Sequence, residues 1–126
     1  MPEVFALQRL TRYHGVTLIA DGMFGRQTEA AVRAVQQQLG LTVDGLVGPQ
    51  TWGALVKDVV VKEGDTGEAV RAAQYLLNKF GNEITVDGNF GADSVAALNE
   101  FKVSAGLPSD GVVDEQTWQA LVAVQP

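Results

Sequence analysis

Apolar residues recur at helical spacing along most of the chain. Val70, Ala73, Leu77 and Phe80 follow at intervals of three, four and three, which places them on one face of a helix that Gly81 would stop. Val95, Leu98, Phe101 and Ala105 predict a second helix ended by Gly106, and Ala31, Val32, Val35 and Leu39 predict its counterpart ended by Gly40. Two shorter helices are expected over residues 49–56 and 115–122, burying Trp52, Leu55 and Val56 in one and Trp118, Leu121 and Val122 in the other. They begin differently. Gly48-Pro49 opens the first with a preset φ and no wasted donor, whereas Asp114-Glu115 opens the second with a side-chain cap and favourable charge.

The pattern repeats. Residues 4–56 align with residues 70–122 at a constant offset of 66 without a gap, and 22 of the 53 aligned positions are identical. The identities concentrate in glycines, Asp-Gly pairs and apolar helix positions, so the two halves share a backbone and not only a composition. Two tandem three-helix modules follow, an all-α fold: residues 1–57, a short linker at 58–62, and residues 63–126. The linker, Asp58-Val59-Val60-Val61-Lys62, is β-branched, extended and too short for a long tether, which predicts limited freedom between modules. The second module opens with Gly64-Asp65-Thr66-Gly67, where Asp65 or Thr66 is a candidate helix cap. Nothing in the sequence before Val4 corresponds to that opening.

Composition narrows the chemistry. With 126 residues and 46% hydrophobic content the chain has enough apolar mass for a core, and it has no cysteine and one histidine, His14. A thiolate nucleophile, a disulfide framework and a multi-histidine metal site are thereby excluded, and no cofactor or metal is expected. The net charge of −6 opposes electrostatic binding to nucleic acid or an anionic membrane. No apolar run reaches the roughly 18 residues of a membrane span. The first twenty residues carry Glu3, Arg9, Arg12 and His14 among apolar positions, unlike a secretory signal. The expected settings are therefore a cytoplasmic chain, one carried by a phage or released by lysis, or a piece of a secreted protein.

Three segments of the second copy, VKEGDTGEAVRAAQYLL, VDGNFGADSVAALNEFK and AGLPSDGVVDEQTWQAL, with ADGMFGRQTEAAVRAVQ and LGLTVDGLVGPQTWGAL of the first, resemble the type 1 peptidoglycan-binding domain. This is a three-helix module found beside the catalytic domains of cell-wall hydrolases and phage endolysins. The resemblance covers nearly the whole chain and rests on the combination of a DGxFG turn, an amphipathic helix, a Gly-Leu stop, a second Asp-Gly and a Thr-Trp helix. It implies a non-catalytic unit that anchors a hydrolase or phage component to the bacterial wall through glycan or stem peptide. Three departures distinguish the copies: Val35-Gln36 stands against Phe101-Lys102, Ser94 replaces Thr28, and Asp114-Glu115 replaces the familiar Gly-Pro of the first copy.

The residues leave two other functions open. A protein-interaction or structural repeat that has lost wall binding would suit the acidity of the second copy. A lytic enzyme would need acid/base groups, and the pair Asp21 and Asp44 is available, but each lies beside glycine in a turn, where aspartate ordinarily bonds backbone amides. Thr28 and Thr51 lack an adjacent base, and His14 falls at a helix end as a partly packed residue. Phe24 and Phe90 are expected to plug the core of each copy, and Trp52 and Trp118 to be largely core with an edge available for stacking.

The expected ligand groove combines glycine backbone, turn polar groups and an aromatic edge. It comprises Asp21, Gly22, Phe24, Gly25, Arg26, Thr28, Asp44, Gly45, Thr51 and Trp52 in the first copy. In the second it comprises Asp87, Gly88, Phe90, Gly91, Asp110, Gly111, Thr117 and Trp118. Residues 1–57 hold five basic and four acidic side chains, net +1, and residues 58–126 four basic and eleven acidic, net −7. Anionic wall polymers are expected to favour the first copy, with Arg26 the nearest cation. Two sites on one polymer would also gain avidity if both faced it.

Overall fold

The computed structural model describes residues 2–80 and 82–122. Six helices follow in two sets of three: α1 (Pro2–Tyr13), α2 (Arg26–Gln38), α3 (Pro49–Val56), α4 (Glu68–Lys79), α5 (Ala92–Ser104) and α6 (Glu115–Val122). Both short helices have the bounds their turn chemistry predicts. Gly40 and Gly106 each take a left-handed φ of +74°, just past the end of α2 and α5, which only glycine adopts without strain. Gly81, the expected stop of α4, lies outside the described residues.

The modules are not two beads on a thread. One continuous apolar cluster runs from Ala6, Leu7 and Leu10 of α1 through Val32, Val35 and Leu55 into Val70, Ala73, Leu76, Leu77, Leu98 and Trp118. Its centre is the α1–α4 contact, which is more extensive than any contact either helix makes within its own module. Alanines at 6, 72 and 73, all fully buried, let these helices approach closely. Phe5 stacks on Tyr75 with ring centroids 4.5 Å apart, and Glu68 at the start of α4 accepts from Arg9 at 2.9 Å and also from Arg12. Glu68 therefore pairs with two cations of the other module, one at each carboxylate oxygen.

The 58–62 stretch belongs to this core. Asp58 turns the chain with a φ of +62°, and Val59 and Val61 then point inward, both buried. Val61 pairs antiparallel with Val113 through bonds of 3.1 and 2.7 Å, and the Val59 carbonyl accepts the Trp118 indole N–H at 2.8 Å. Helix α4 begins otherwise than expected. Its cap residue is Gly67, without a side-chain cap, because the Asp65 carboxylate is already used by the Lys62 amide at 2.9 Å and Thr66 pairs with Asn89. Asp114 does cap α6, accepting the Thr117 amide at 3.0 Å and its hydroxyl at 2.8 Å.

Candidate ligand-binding surface

The Asp-Gly turns are locked from inside. Gln8, buried in α1, donates to Asp21 at 3.0 Å, to the Met23 carbonyl at 3.1 Å and to Thr28 Oγ1 at 2.9 Å, while its own carbonyl accepts the Gly22 amide at 2.9 Å. Gln36 repeats this arrangement on Asp44, Leu46, Thr51 and Gly45, and Gln74 repeats it on Asp87, Asn89, Ser94 and Gly88. At the fourth turn Lys102, buried like the glutamines, replaces them and donates to Asp110 and to the Val112 carbonyl, and Asn99 takes over the Gly111 amide. These glutamines were absent from the expected site. The signal for them was a glutamine eight or thirteen residues ahead of an Asp-Gly pair in three of the four turns.

The locks favour the ionised form of the aspartates. The Met23 amide, then Gln8, hold Asp21 below the ordinary carboxylate value; the Leu46 amide and Gln36 do the same for Asp44, and the Asn89 amide and Gln74 for Asp87. Lys102, then the Val112 amide, lower Asp110, and the Thr117 amide lowers Asp114. A general acid requires a shift in the opposite direction. Thr28 and Thr51 are buried under the turns they bond, Thr117 is buried against the Asp114 cap of its own helix, and Gly88 and Gly45 are buried as well.

What remains accessible differs between copies. Phe90 plugs the second module and is 1% exposed, but Phe24 does not plug the first: it is 45% exposed. The reason lies outside the turn. In the second module residues 64–67 bond across it and Phe90 joins the core cluster, whereas no such bonds reach Phe24 among the described residues. Trp118 is fully buried, with its N–H satisfied by Val59, so it offers no edge. Trp52 is half-buried and forms a wall of an apolar cleft of about 350 Å³ with Val47, Pro49 and Val56, closed by Gln119 and Val122 of α6.

The expected residues therefore do not form one groove. Trp52 is the one expected residue in its cleft, while Asp87 and Gly91 share a smaller hollow of about 230 Å³ with Asn89, Asp93 and Ser94. The exposed apolar residues Ile19, Met23, Val43 and Leu46, which flank the first-module turns, were not anticipated. A cleft of about 480 Å³ beside Phe80 and Phe101 was not anticipated either. Among the described residues no cluster of acidic or histidine side chains is arranged to hold a metal, and no helix is long and apolar enough to cross a membrane.

A family model for a peptidoglycan binding domain matches the chain twice, over residues 2–55 and 66–121. The chain belongs to the peptidoglycan-binding domain family. Among its relatives, the N-acetylmuramoyl-L-alanine amidase CwlM of Mycobacterium tuberculosis is 34% identical, over 82% of this chain and 28% of that protein. The zinc D-Ala-D-Ala carboxypeptidase of Streptomyces albus G is 31% identical, over 86% of this chain and 42% of that protein. A solved structure of a peptidoglycan-binding protein from Clostridioides difficile, in complex with glutamine hydroxamate, is 34% identical, covering 49% of this chain and 39% of that one with a TM-score of 0.49. The chain spans less than half the length of the curated relatives named here.

The two peptidoglycan-binding modules also differ in available charge. Arg9 and Arg12 are engaged by Glu68, and Arg33 pairs with Glu29 at 3.3 Å. Arg26, exposed at the first position of α2, makes no ion pair among the described residues, and its counterpart in the second module is the neutral Ala92.

Proposed function

We propose that this pair of peptidoglycan-binding modules is a non-catalytic unit that targets a wall hydrolase or phage component to the bacterial wall, with the ligand face on the first module. The observation that carries the reading is the double family match over residues 2–55 and 66–121, which leaves little of the chain for any other architecture. The relatives support the targeting role, because they are longer proteins named for wall chemistry and this chain aligns with less than half of each. The ionised, turn-bound aspartates support a binding role over an acid/base one. Trp52 supplies an apolar wall on which a sugar ring or a peptide methyl stacks, and Arg26 supplies attraction for an anionic polymer. Avidity from two equal sites gives way to a single dominant one, since Phe90 and Trp118 are enclosed.

The test is co-sedimentation of the chain with purified, polymer-stripped sacculi, with the supernatant assayed for soluble muropeptides. Pelleting without muropeptide release is expected. Release would refute the non-catalytic role, and failure to pellet with any of several wall chemotypes would refute wall binding.

A further inference from the structure

Each locked turn contains an Asp-Gly bond: Asp21-Gly22, Asp44-Gly45, Asp87-Gly88 and Asp110-Gly111. In such a pair the glycine amide nitrogen attacks the carbon of the aspartate carboxyl group, and glycine, lacking a Cβ, leaves that approach unhindered. A C–N bond forms, a carboxyl C–O bond breaks, and water leaves with the amide proton, giving a succinimide. Water then opens the ring. Opening at the main-chain carbonyl leaves isoaspartate, with the main chain lengthened by one methylene. The water lost in the first step returns in the second, so the sum is an isomerisation in which nothing is oxidised or reduced.

In this fold both reacting groups are already engaged, and at three turns by one side chain. Asp21 Oδ1 accepts from Gln8 at 3.0 Å and from the Met23 amide at 2.9 Å, while the Gly22 amide donates to the Gln8 carbonyl at 2.9 Å. Attack at Asp21 therefore requires Gln8 to release the nucleophile and the carboxylate together. Gln36 holds Asp44 and Gly45 at 3.0 Å each, and Gln74 holds Asp87 at 3.1 Å and Gly88 at 3.0 Å. At the fourth turn the roles are divided: Lys102 donates to Asp110, and Asn99 accepts the Gly111 amide at 2.8 Å. The four aspartates themselves are exposed, so burial of the carboxylate is not what restrains them. The three glutamines and Lys102 are at most 1% exposed, and water does not compete for their bonds. The ionised carboxylate that these bonds favour is also the poorer electrophile.

We propose that the side-chain locks protect the four Asp-Gly bonds from isomerisation, and that release of one lock makes its own aspartate a site of isoaspartate formation. The protection is local, because each lock bonds a single turn. It is independent of what the modules bind.

The test is peptide mapping of the full chain held at neutral pH below its unfolding transition, with isoaspartate located by fragmentation mass spectrometry. The folded wild type should keep aspartate at all four positions, while the chain unfolded in guanidinium chloride converts at all four. Gln8→Leu should convert Asp21 about tenfold or more faster than Asp87, and Gln74→Leu should reverse that order. Asn99→Ala, which frees the Gly111 amide and leaves Lys102 on Asp110, should speed conversion at Asp110 alone, by about threefold or more. Global unfolding exposes every Asp-Gly bond alike, so the untouched turn of each variant reports it and a destabilised variant still discriminates. Conversion in the folded wild type at the unfolded rate would overturn the proposal. So would equal conversion of Asp21 and Asp87 in Gln8→Leu, or conversion at Asp21 no faster than in the wild type.

Discussion

Phe24 and Phe90 occupy the same place in the repeat, between the same glycines and above the same glutamine lock, yet one is 45% exposed and the other 1%. Trp52 and Trp118 divide in the same way, one lining an open cleft and the other sealed with its indole N–H bonded to Val59. In the second module residues 59–67 bond the turn and the last helix: Gly64 and Gly67 donate to the Phe90 and Gly88 carbonyls, and the Val59 carbonyl accepts from Trp118. Local sequence determines the turn and the helix. Whether their aromatics become core or surface depends on what packs over them.

The sharpest way to break that comparison is to truncate both tryptophans. Trp118→Ala removes a fully buried side chain and a buried hydrogen bond and should cost about 3–5 kcal/mol in urea unfolding, whereas Trp52→Ala should cost no more than about 1–2. Equal losses would contradict the division. Gln8→Leu and Gln74→Leu test the opposite expectation, that the locks are equivalent. Each leaves a carboxylate, a hydroxyl and two backbone groups without their partner, so both should lose roughly 2–3 kcal/mol, and by similar amounts.

A smaller effect is expected at the junction between modules. Burial alone would raise the Glu68 pKa, but hydrogen bonds from Arg12 and Arg9 and their charges outweigh it, so the folded value lies below the ordinary 4.5. A carboxylate lowered on folding stabilises the fold above its unfolded pKa, and that contribution is lost as pH falls through the folded one. Thermal melts from pH 6 down to pH 3 should show the wild type losing stability below about pH 4.5, with the five lowered aspartates adding to the fall at the acid end. Glu68→Gln should flatten the upper part of that profile and cost about 0.5–1 kcal/mol at neutral pH, as befits a partly exposed ion pair. Arg26→Glu should change stability least, within about 0.5 kcal/mol, while lowering retention on sacculi.

Much of the fold is legible in the sequence because its cues are local. The Gly48-Pro49 and Asp114-Glu115 starts, the Gly40 and Gly106 stops and the 66-residue offset each rest on residues close together in the chain. What is not legible is mostly a matter of partners. The apolar stripe of α4 shows that one face is buried, but not that α1 of the other module covers it. Phe24 reads as core because glycines flank it, yet its ring is 45% exposed while Phe90 is enclosed. Asp65 and Thr66 both read as caps for α4 because each has the right side chain near the right place, but the Lys62 amide takes the Asp65 carboxylate and Thr66 pairs with Asn89. The glutamine locks are not legible because a polar residue on a helix reads as surface, while its partners lie 8–20 residues away. The same locks explain why the turn aspartates and threonines, conspicuous in the sequence, hold the turns together from within, while Trp52, Phe24 and Arg26 face outward.

The most direct test of the central claim, that recognition belongs to the first module, is quantitative co-sedimentation with sacculi of four folded proteins. These are the wild type, Trp52→Ala, Arg26→Glu, and Ala92→Glu as the matched charge change on the second module. The account predicts that the two first-module variants lose most of their retention and that Ala92→Glu retains it. Equal retention by all four, or an equal loss in Ala92→Glu and Arg26→Glu, would contradict it.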